Sequence, residues 1–593
     1  MSSSPVARSP ETLDQALGRL ERLIAAQAWE EADSLAGQVF RQAPDDLRLI
    51  LHRAAISGAR GRVGEAIRTL GAGLTAHPGH PTLLLQLGAG LGHAGLWTEA
   101  IERLDQALFH APDWPPALFQ RGSILLAAGR PRKARADFAR LLAIDGGNLP
   151  ARQQWQACNQ ARSGSPRETP SLMARRAQVL LALGRPAGAL ADLDAALRRS
   201  APEASLHNNR GLALFELERF DEALAGFDAA LTLMDPADPV AAGPLLNRGR
   251  TLVELGRPVD ALIDLDQALS LRPGDPGILF NQAMARFLTG DWTRAWGPFE
   301  HRWSLPEMLG DRRAPGPQWT GEADLAGRTL LITVEQGFGD TLQFCRYAQL
   351  AHDRGARVLL EAQPALIPLL TSLKGVDRLI ERGAALPDHD LHCPMLSLPG
   401  AFGTTEQTAP ARTPYLSAPP LLTAAWRKDL RQSGAFNVGL AWSGNPGNPR
   451  DPQRSLSAAR LAPLFSARPD LRFHALQPGV KPADRQALPD LIVHPDDRLD
   501  FSGTAGLIEA LDLVISVDTA MAHLAGALDR PVWILLPFAA DWRWKADGAA
   551  TAWYPSARLF RQARRGDWRG VIDLVCRALA DMGPSDLAGP NRP

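Results

Sequence analysis

The stretch Leu513–Pro537, LVISVDTAMAHLAGALDRPVWILLP, decides how the second half of the chain folds. Leu513–Val517 and Val532–Leu536 are short, wholly apolar runs, the pattern of strands buried on both faces. Between them, Asp518-Thr519 marks a sharp turn and Ala520–Leu528 a helix of small residues that can pack closely on a sheet. Strand, helix and strand in so few residues imply a parallel βαβ unit. Thr519 and the amides of Ala520 and Met521 stand at the helix N-terminus, where unpaired N–H groups and a partial positive charge suit a phosphate. His523 follows one turn further in.

Outward from this stretch, the chain from Arg328 alternates strands and helices. TLLITVE, ARVLLEA and DRLIERG read as strands, HDLHCPMLSLP as strand or loop, and FNVGLAW, LRFHALQ and DLIVHP as strands of a second unit beyond a helix at 422–432. Such alternation predicts two Rossmann-like α/β lobes with parallel sheets, whose ligands sit at the strands' carboxyl ends. Before Arg328 the period is different. Ala32, Ala66, Ala100 and Ala134 are spaced by 34 residues, and the frame resumes at Ala189, Ala223, Ala261 and Ala295. Gly88, Gly122, Gly211 and Gly249 mark the first helices, and Gly95, Gly129, Gly184, Gly256 and Gly290 the turns. Small side chains where two helices meet, with proline ending the second helix, define a stacked helical-hairpin array. This half resembles the tetratricopeptide repeat, with eight units between Glu11 and Ser304. The fold class is therefore α + α/β: an N-terminal α-solenoid followed by the paired lobes.

The expected organisation is a disordered terminus at 1–10, repeats one to four at 11–147, an inserted linker at 148–169 and repeats five to eight at 170–304. A linker at 305–327 leads to an N-terminal lobe at 328–420 and a C-terminal lobe at 421–583, with a tail at 584–593. The aromatic run around Trp292, Trp296, Phe299 and Trp303 is expected to join array to lobes.

Composition excludes several classes. Lys+Arg 64 balances Asp+Glu 64, so nothing points to nucleic acid or an anionic membrane. Four scattered cysteines form neither a disulfide framework nor a zinc site. No run approaches the roughly 20 apolar residues of a membrane span, and a cytoplasmic protein is expected.

EQGFGDTLQF (Glu335–Phe344), WSGNP (Trp442–Pro446) and VDTAMAHLAGA (Val517–Ala527) together resemble the GT-B glycosyltransferases of the ADP-heptose:lipopolysaccharide heptosyltransferase type, over about Arg328–Ala580. Joined to the repeats, the chain is similar to bacterial proteins that glycosylate other proteins, including flagellin glycosyltransferases using nonulosonic sugars such as pseudaminic acid. Two departures stand out: Ala520 replaces a glycine of the family pattern, and its lysine after the first strand of the nucleotide lobe is absent, leaving Arg450 and Arg454 nearest. The resemblance implies a nucleotide-sugar donor, an acceptor protein, inversion, and no cofactor or metal. It makes Asp340 the general base, set against a helix-capping role, and groups His523 with it. Donor contacts are assigned to Asp518, Thr519, Ala520, Met521, Trp442, Ser443, Gly444, Asn445, Arg454 and Arg543, and the cleft loop to Gln336, Gly337, Gly339 and Thr341. Asn208, Asn209, Arg210, Asn247 and Arg248, on first helices of the array, are candidate acceptor contacts. The DxD-like Asp388-His389-Asp390 is read as a chance match. Transfer to a lipopolysaccharide precursor and a non-catalytic adaptor are the rival functions.

Overall fold

All eight repeat alanines lie inside helices and are buried, as close helix packing requires. The computed structural model describes residues 12–40, 43–161, 168–305, 314–431 and 435–582; the expected disordered terminus at 1–10 and the tail at 584–593 lie outside the described residues. The chain divides into two compact units between Thr251 and Leu252. That division falls inside a helix rather than at Ser304.

The first unit is helical. Its hairpins are α1 (Leu13–Ala25) with α2 (Trp29–Phe40), α3 (Leu47–Ala59) with α4 (Val63–Ala76), α5 (Pro81–His93) with α6 (Trp97–His110) and α7 (Pro115–Ala127) with α8 (Pro131–Ile144). After a lone α9 (Leu149–Gln160) come α10 (Pro170–Ala182) with α11 (Pro186–Leu197), α12 (Ala204–Glu216) with α13 (Phe220–Thr232), and α14 (Ala242–Glu254), in which the unit ends. The packing rule is visible in the glycines: a Cβ at Gly122 would lie 2.8 Å from the Phe138 ring, and one at Gly211 2.6 Å from Phe227. Gly95, Gly129 and Gly184 close their turns with φ of 81°, 71° and 67°, a region only glycine enters freely.

The described part of the segment expected as a linker is mostly helix. Asn148 caps α9 by accepting from the Ala151 amide at 3.0 Å, and Ala151 and Cys158 are buried against α8. The array then resumes with α10 packed on α4, so close that a Cβ at Gly64 would stand 2.4 Å from Ala182 Cβ. The 34-residue count registers only neighbours in the stack, so it could not show this return.

The second unit opens with α15 (Pro258–Leu271), α16 (Pro276–Leu288) and α17 (Trp292–Phe299); α15 packs on α16, and α16 and α17 share a core with two parallel sheets. Trp292 stacks on Trp553 at 5.1 Å, Phe287 stacks on Trp542 at 4.4 Å, and the Trp296 indole donates to the Thr404 carbonyl at 2.7 Å. This aromatic core ties the last repeats to the lobes.

The first sheet holds β1 (Thr329–Thr333), β2 (Arg357–Ala362), β3 (Arg378–Glu381) and β4 (Leu391–Pro394) in the order β3-β2-β1-β4. The second holds β5 (Asn437–Ala441), β6 (Arg472–Ala475), β7 (Leu513–Val517), β8 (Val532–Leu536) and β9 (Ala557–Arg561) in the order β6-β5-β7-β8-β9. Every pairing is parallel. DLIVHP is not a strand; it contributes only one bridge, Ile492 to His474. The strand order reverses at β1 and at β5–β7, and the turns beyond those carboxyl ends carry most of the candidate residues. No helix among the described residues is long and apolar enough to cross a membrane.

Candidate functional site

Beyond β1 the chain passes Glu335 and the left-handed Gln336 (φ 57°) into α18 (Phe338–Phe344), with Gly337 at its N-cap. Asp340 is thus the third residue of the helix, not its cap. One carboxylate oxygen accepts from the Gly337 amide at 2.8 Å; the other is ion-paired with Arg543. Asp340 therefore performs the helix-end bonding and also faces a cation.

Beyond β7, Thr519 caps the helix Ala520–Ala527. Its Oγ accepts from the Met521 amide at 3.3 Å, so that amide is not the free donor expected of it. This helix packs against α18 across the two lobes. The approach depends on Gly339, where a Cβ would lie 2.9 Å from His523 Cδ2 and 3.7 Å from Ala520 Cα.

Beyond β8, a short turn at Trp542–Trp544 delivers Arg543, whose side chain is only 8% exposed. Besides Asp340 it bonds Asp541 at 2.9 Å and the Gln343 side-chain oxygen at 2.7 Å. From the loop after β5, Arg454 donates to the Asp518 carbonyl at 3.0 Å and to Asp451 at 3.3 Å. Residues from β1, β5, β7 and β8 so converge on one place. Sequence separation between Asp340 and Arg543 is 203 residues.

Low dielectric sets the charge states. Burial raises the Asp340 carboxyl above its ordinary range, with Arg543 opposing. Asp518 is pushed up to about 6 by burial and the neighbouring Asp541. At Asp541 itself burial is outweighed by Arg543, and the carboxyl is held low. His523 is lowered to about 3 by burial, reinforced by Arg543, and is neutral at ordinary pH.

Several assigned residues do something other than expected. Trp442 is 2% exposed and packs into the C-terminal lobe's core with Val438, Leu440 and Leu461, so its ring cannot meet a donor. Thr341 is fully buried and donates to the Gln363 side-chain oxygen at 2.9 Å, away from any open loop surface. Ser443 is tied to Gln477, and Gly444 is pressed so near Asp451 and Arg454 that a Cβ would meet them at 2.4 and 2.7 Å. Asn445 is exposed and accepts from the Gly447 amide of its own turn at 2.9 Å. Arg450 is pulled to Glu254 at 2.9 Å, at the end of α14. In the array, Arg210 pairs with Asp194 and Arg248 with Asp228, both at 2.7 Å. Asn247 donates to Asn208 at 3.0 Å, and Asn208 to Asn209 at 3.4 Å. These five bond within the array itself. Asp390 and His389 serve backbone groups: Asp390 accepts from the Thr329 amide, and His389 bonds the Pro315 and Pro387 carbonyls.

Residues that sequence reasoning missed include Gln343, Trp544 and Tyr554. Trp544 stacks on the His523 ring at 5.4 Å, and the Tyr554 hydroxyl bonds His523 Nδ1 at 3.0 Å. Nothing local marks them: their partners lie in other elements.

Comparison with known proteins agrees with both halves. Residues 85–148, 175–242 and 246–300 match the tetratricopeptide repeat family. Residues 492–536 match glycosyltransferase family 9 (heptosyltransferase). The chain thus combines tetratricopeptide repeats with a region of glycosyltransferase family 9 type. Over 438 residues it is 27% identical to Protein FlbA of Caulobacter vibrioides, covering 69% of this chain and 66% of that protein, just under two thirds of its length. Among solved structures, a family 9 glycosyl transferase from Veillonella parvula is 8% identical and covers 45% of this chain and 98% of that one, with a TM-score of 0.34. A tetratricopeptide repeat protein from Parabacteroides merdae is 16% identical over 46% of this chain and 98% of that one, with a TM-score of 0.23.

Proposed function

We propose that the protein is a GT-B glycosyltransferase that moves a sugar from a nucleotide donor to Ser/Thr hydroxyls of an acceptor protein docked by the repeats. The observation that carries this reading is the convergence of Asp340, Arg543 and the Thr519 turn from separate lobes. In it, Asp340 takes the proton of the acceptor hydroxyl, whose oxygen attacks the anomeric carbon. The bond from that carbon to the donor phosphate breaks, with inversion, and the phosphate leaves with the electron pair. Arg543, Arg454 and the Ala520 amide at the helix N-terminus face that developing charge. Two arginines supply positive charge here, and the reading uses no metal or cofactor. Asp518 orients the donor, and Gln336 and Gly337 border it.

Flagellin is the acceptor and an activated nonulosonic acid such as CMP-pseudaminic acid the donor in this proposal, with the cytoplasm as its place of action. In this reading the Asn208–Asn247 ladder and the paired Arg210 and Arg248 contact the docked acceptor. A second reading, transfer of a heptose or hexose to a lipopolysaccharide precursor, draws on the family 9 match at 492–536.

The test is intact-mass spectrometry of flagellin and of lipopolysaccharide from cells with the wild-type chain or Asp340→Asn. Loss of a sugar-sized mass from the protein, with acceptor binding retained, supports the proposal; loss of a base costs about 10²–10⁴ in rate. A mass change confined to the glycolipid favours the second reading. Full-length protein is needed, because a cut at Ser304 would strip Trp292 and Trp296 from Trp542 and Trp553.

A further inference from the structure

The two edges of the His523 ring face different surroundings. Nδ1 is turned inward, 3.0 Å from the Tyr554 hydroxyl. The Cδ2–Nε2 edge is turned to the α18 turn: a Cβ at Gly339 would stand 2.9 Å from Cδ2 and 3.6 Å from Nε2. Trp544 stacks on the ring at an interplanar angle of 22°. Tyr554 is fully buried and equally fixed, since a Cβ at Gly526 would meet its ring at 2.4 Å and the Arg346 guanidinium lies 4.7 Å from its centre.

The direction of the Tyr554–His523 hydrogen bond follows from what surrounds the hydroxyl. The neighbouring Tyr415 hydroxyl already donates to the Leu342 carbonyl at 2.8 Å and accepts from Arg346 at 2.7 Å. Were Nδ1 to carry the proton, the buried Tyr554 O–H would have to turn from the imidazole to the Tyr415 oxygen, which already accepts from the Arg346 guanidinium. With the O–H donating to Nδ1, both groups are satisfied and the ring proton falls on Nε2. Burial, reinforced by the facing charges of Arg543, Arg346 and Arg454 and opposed by Asp541, keeps the ring neutral.

We infer that Tyr554 is a positioning residue: its hydroxyl locks neutral His523 as the Nε2–H tautomer and aims that N–H at the turn carrying Asp340. There the imidazole is a directional donor to an oxygen of the bound phosphate or sugar and transfers no proton. The assignment of that oxygen rests on the transfer reading above; the tautomer does not.

The test is nitrogen NMR of the full chain labelled with ¹⁵N-histidine, the His523 signals being identified by their loss in His523→Ala. A protonated Nε2 and an acceptor-type Nδ1 from pH 6 to 8, giving way to a mixture of tautomers in Tyr554→Phe, is the expected result. A protonated Nδ1 or an imidazolium in the wild type overturns the inference even if Tyr554→Phe fails to fold, and so does a folded Tyr554→Phe with unchanged signals. In transfer assays Tyr554→Phe should lower kcat at least tenfold at unchanged donor KM; an unchanged kcat overturns the aiming role. If no transfer is detected in the wild type, the transfer reading fails while the tautomer result still decides the lock.

Discussion

Replacing Arg302 by Met should unfold the second unit far more readily than any surface change. Arg302 and Glu335 are each 1% exposed, so neither charge has recourse to water. Arg302 donates to both Glu335 oxygens at 3.1 and 3.0 Å, to Ser397 at 2.7 Å and to Glu300 at 2.7 Å, and it lies 4.4 Å from the Phe299 ring centre. Removing one partner of such a pair leaves an uncompensated buried carboxylate, at about 3–5 kcal/mol. Glu335 would retain the Leu396 amide at 2.8 Å, one bond against a full charge. In the double variant Arg302→Met/Glu335→Gln no charge is stranded, and most of the loss should return, leaving a deficit of ~1–2 kcal/mol from bonds not remade. Burial already raises the Glu335 carboxyl with Arg302 in place, and without it the group protonates more readily still. A raised folded-state pKa gives stability that is present at low pH and lost as pH rises through it. The Arg302→Met deficit should therefore be smaller at pH 5 than at pH 8. Urea unfolding followed by tryptophan fluorescence at both pH values measures this. A single-variant loss under ~1 kcal/mol, or a double variant as unstable as the sum of the singles, would refute the reasoning.

Two further outcomes are expected. Gly339→Ala sets a methyl 2.9 Å from a His523 ring pinned by Trp544 and Tyr554; calorimetry should show ~1–3 kcal/mol of lost stability, and transfer should fall with it, whereas unchanged stability would mean that the lobes shift freely there. His474 lies buried between His494 at 3.1 Å and Asn437 at 3.0 Å, its pKa lowered to about 3 by burial and then by His494 and Arg472. Its contribution is complete above its unfolded value near 6.5 and falls by about 1.4 kcal/mol per pH unit below it, so His474→Gln should flatten the acid limb of a stability–pH curve, and an unaltered slope would show that the histidine does not carry it.

Much of the architecture was legible in the residues because it rests on local periodicity. Ala32, Ala66, Ala100 and Ala134 announced their helix pairs, since only small side chains let two helices meet. The runs at Leu513–Val517 and Val532–Leu536 became β7 and β8 with the expected limits, as continuous apolar strands bounded by turn residues leave little choice. Periodicity failed where a feature was not periodic: α9 arose from a cap at Asn148 and the buried contacts of Ala151 and Cys158, and DLIVHP had a strand's composition but only one bridge to pair with.

For the candidate site the sequence itself determined which turns hold polar residues at strand ends, and it supplied Asp340, Thr519, His523 and Arg543 as individuals. It also placed Trp442 and Thr341 there, because a strand end does not reveal which way a side chain leaves it. Only the tertiary structure decided that Arg543 faces Asp340, that Tyr554 stands behind His523, and that Arg450 turns toward Glu254. Those relations join residues 31 to 203 positions apart. Local sequence fixes backbone conformation over a few residues, whereas hydrogen bonds between buried side chains depend on how separate elements pack against one another.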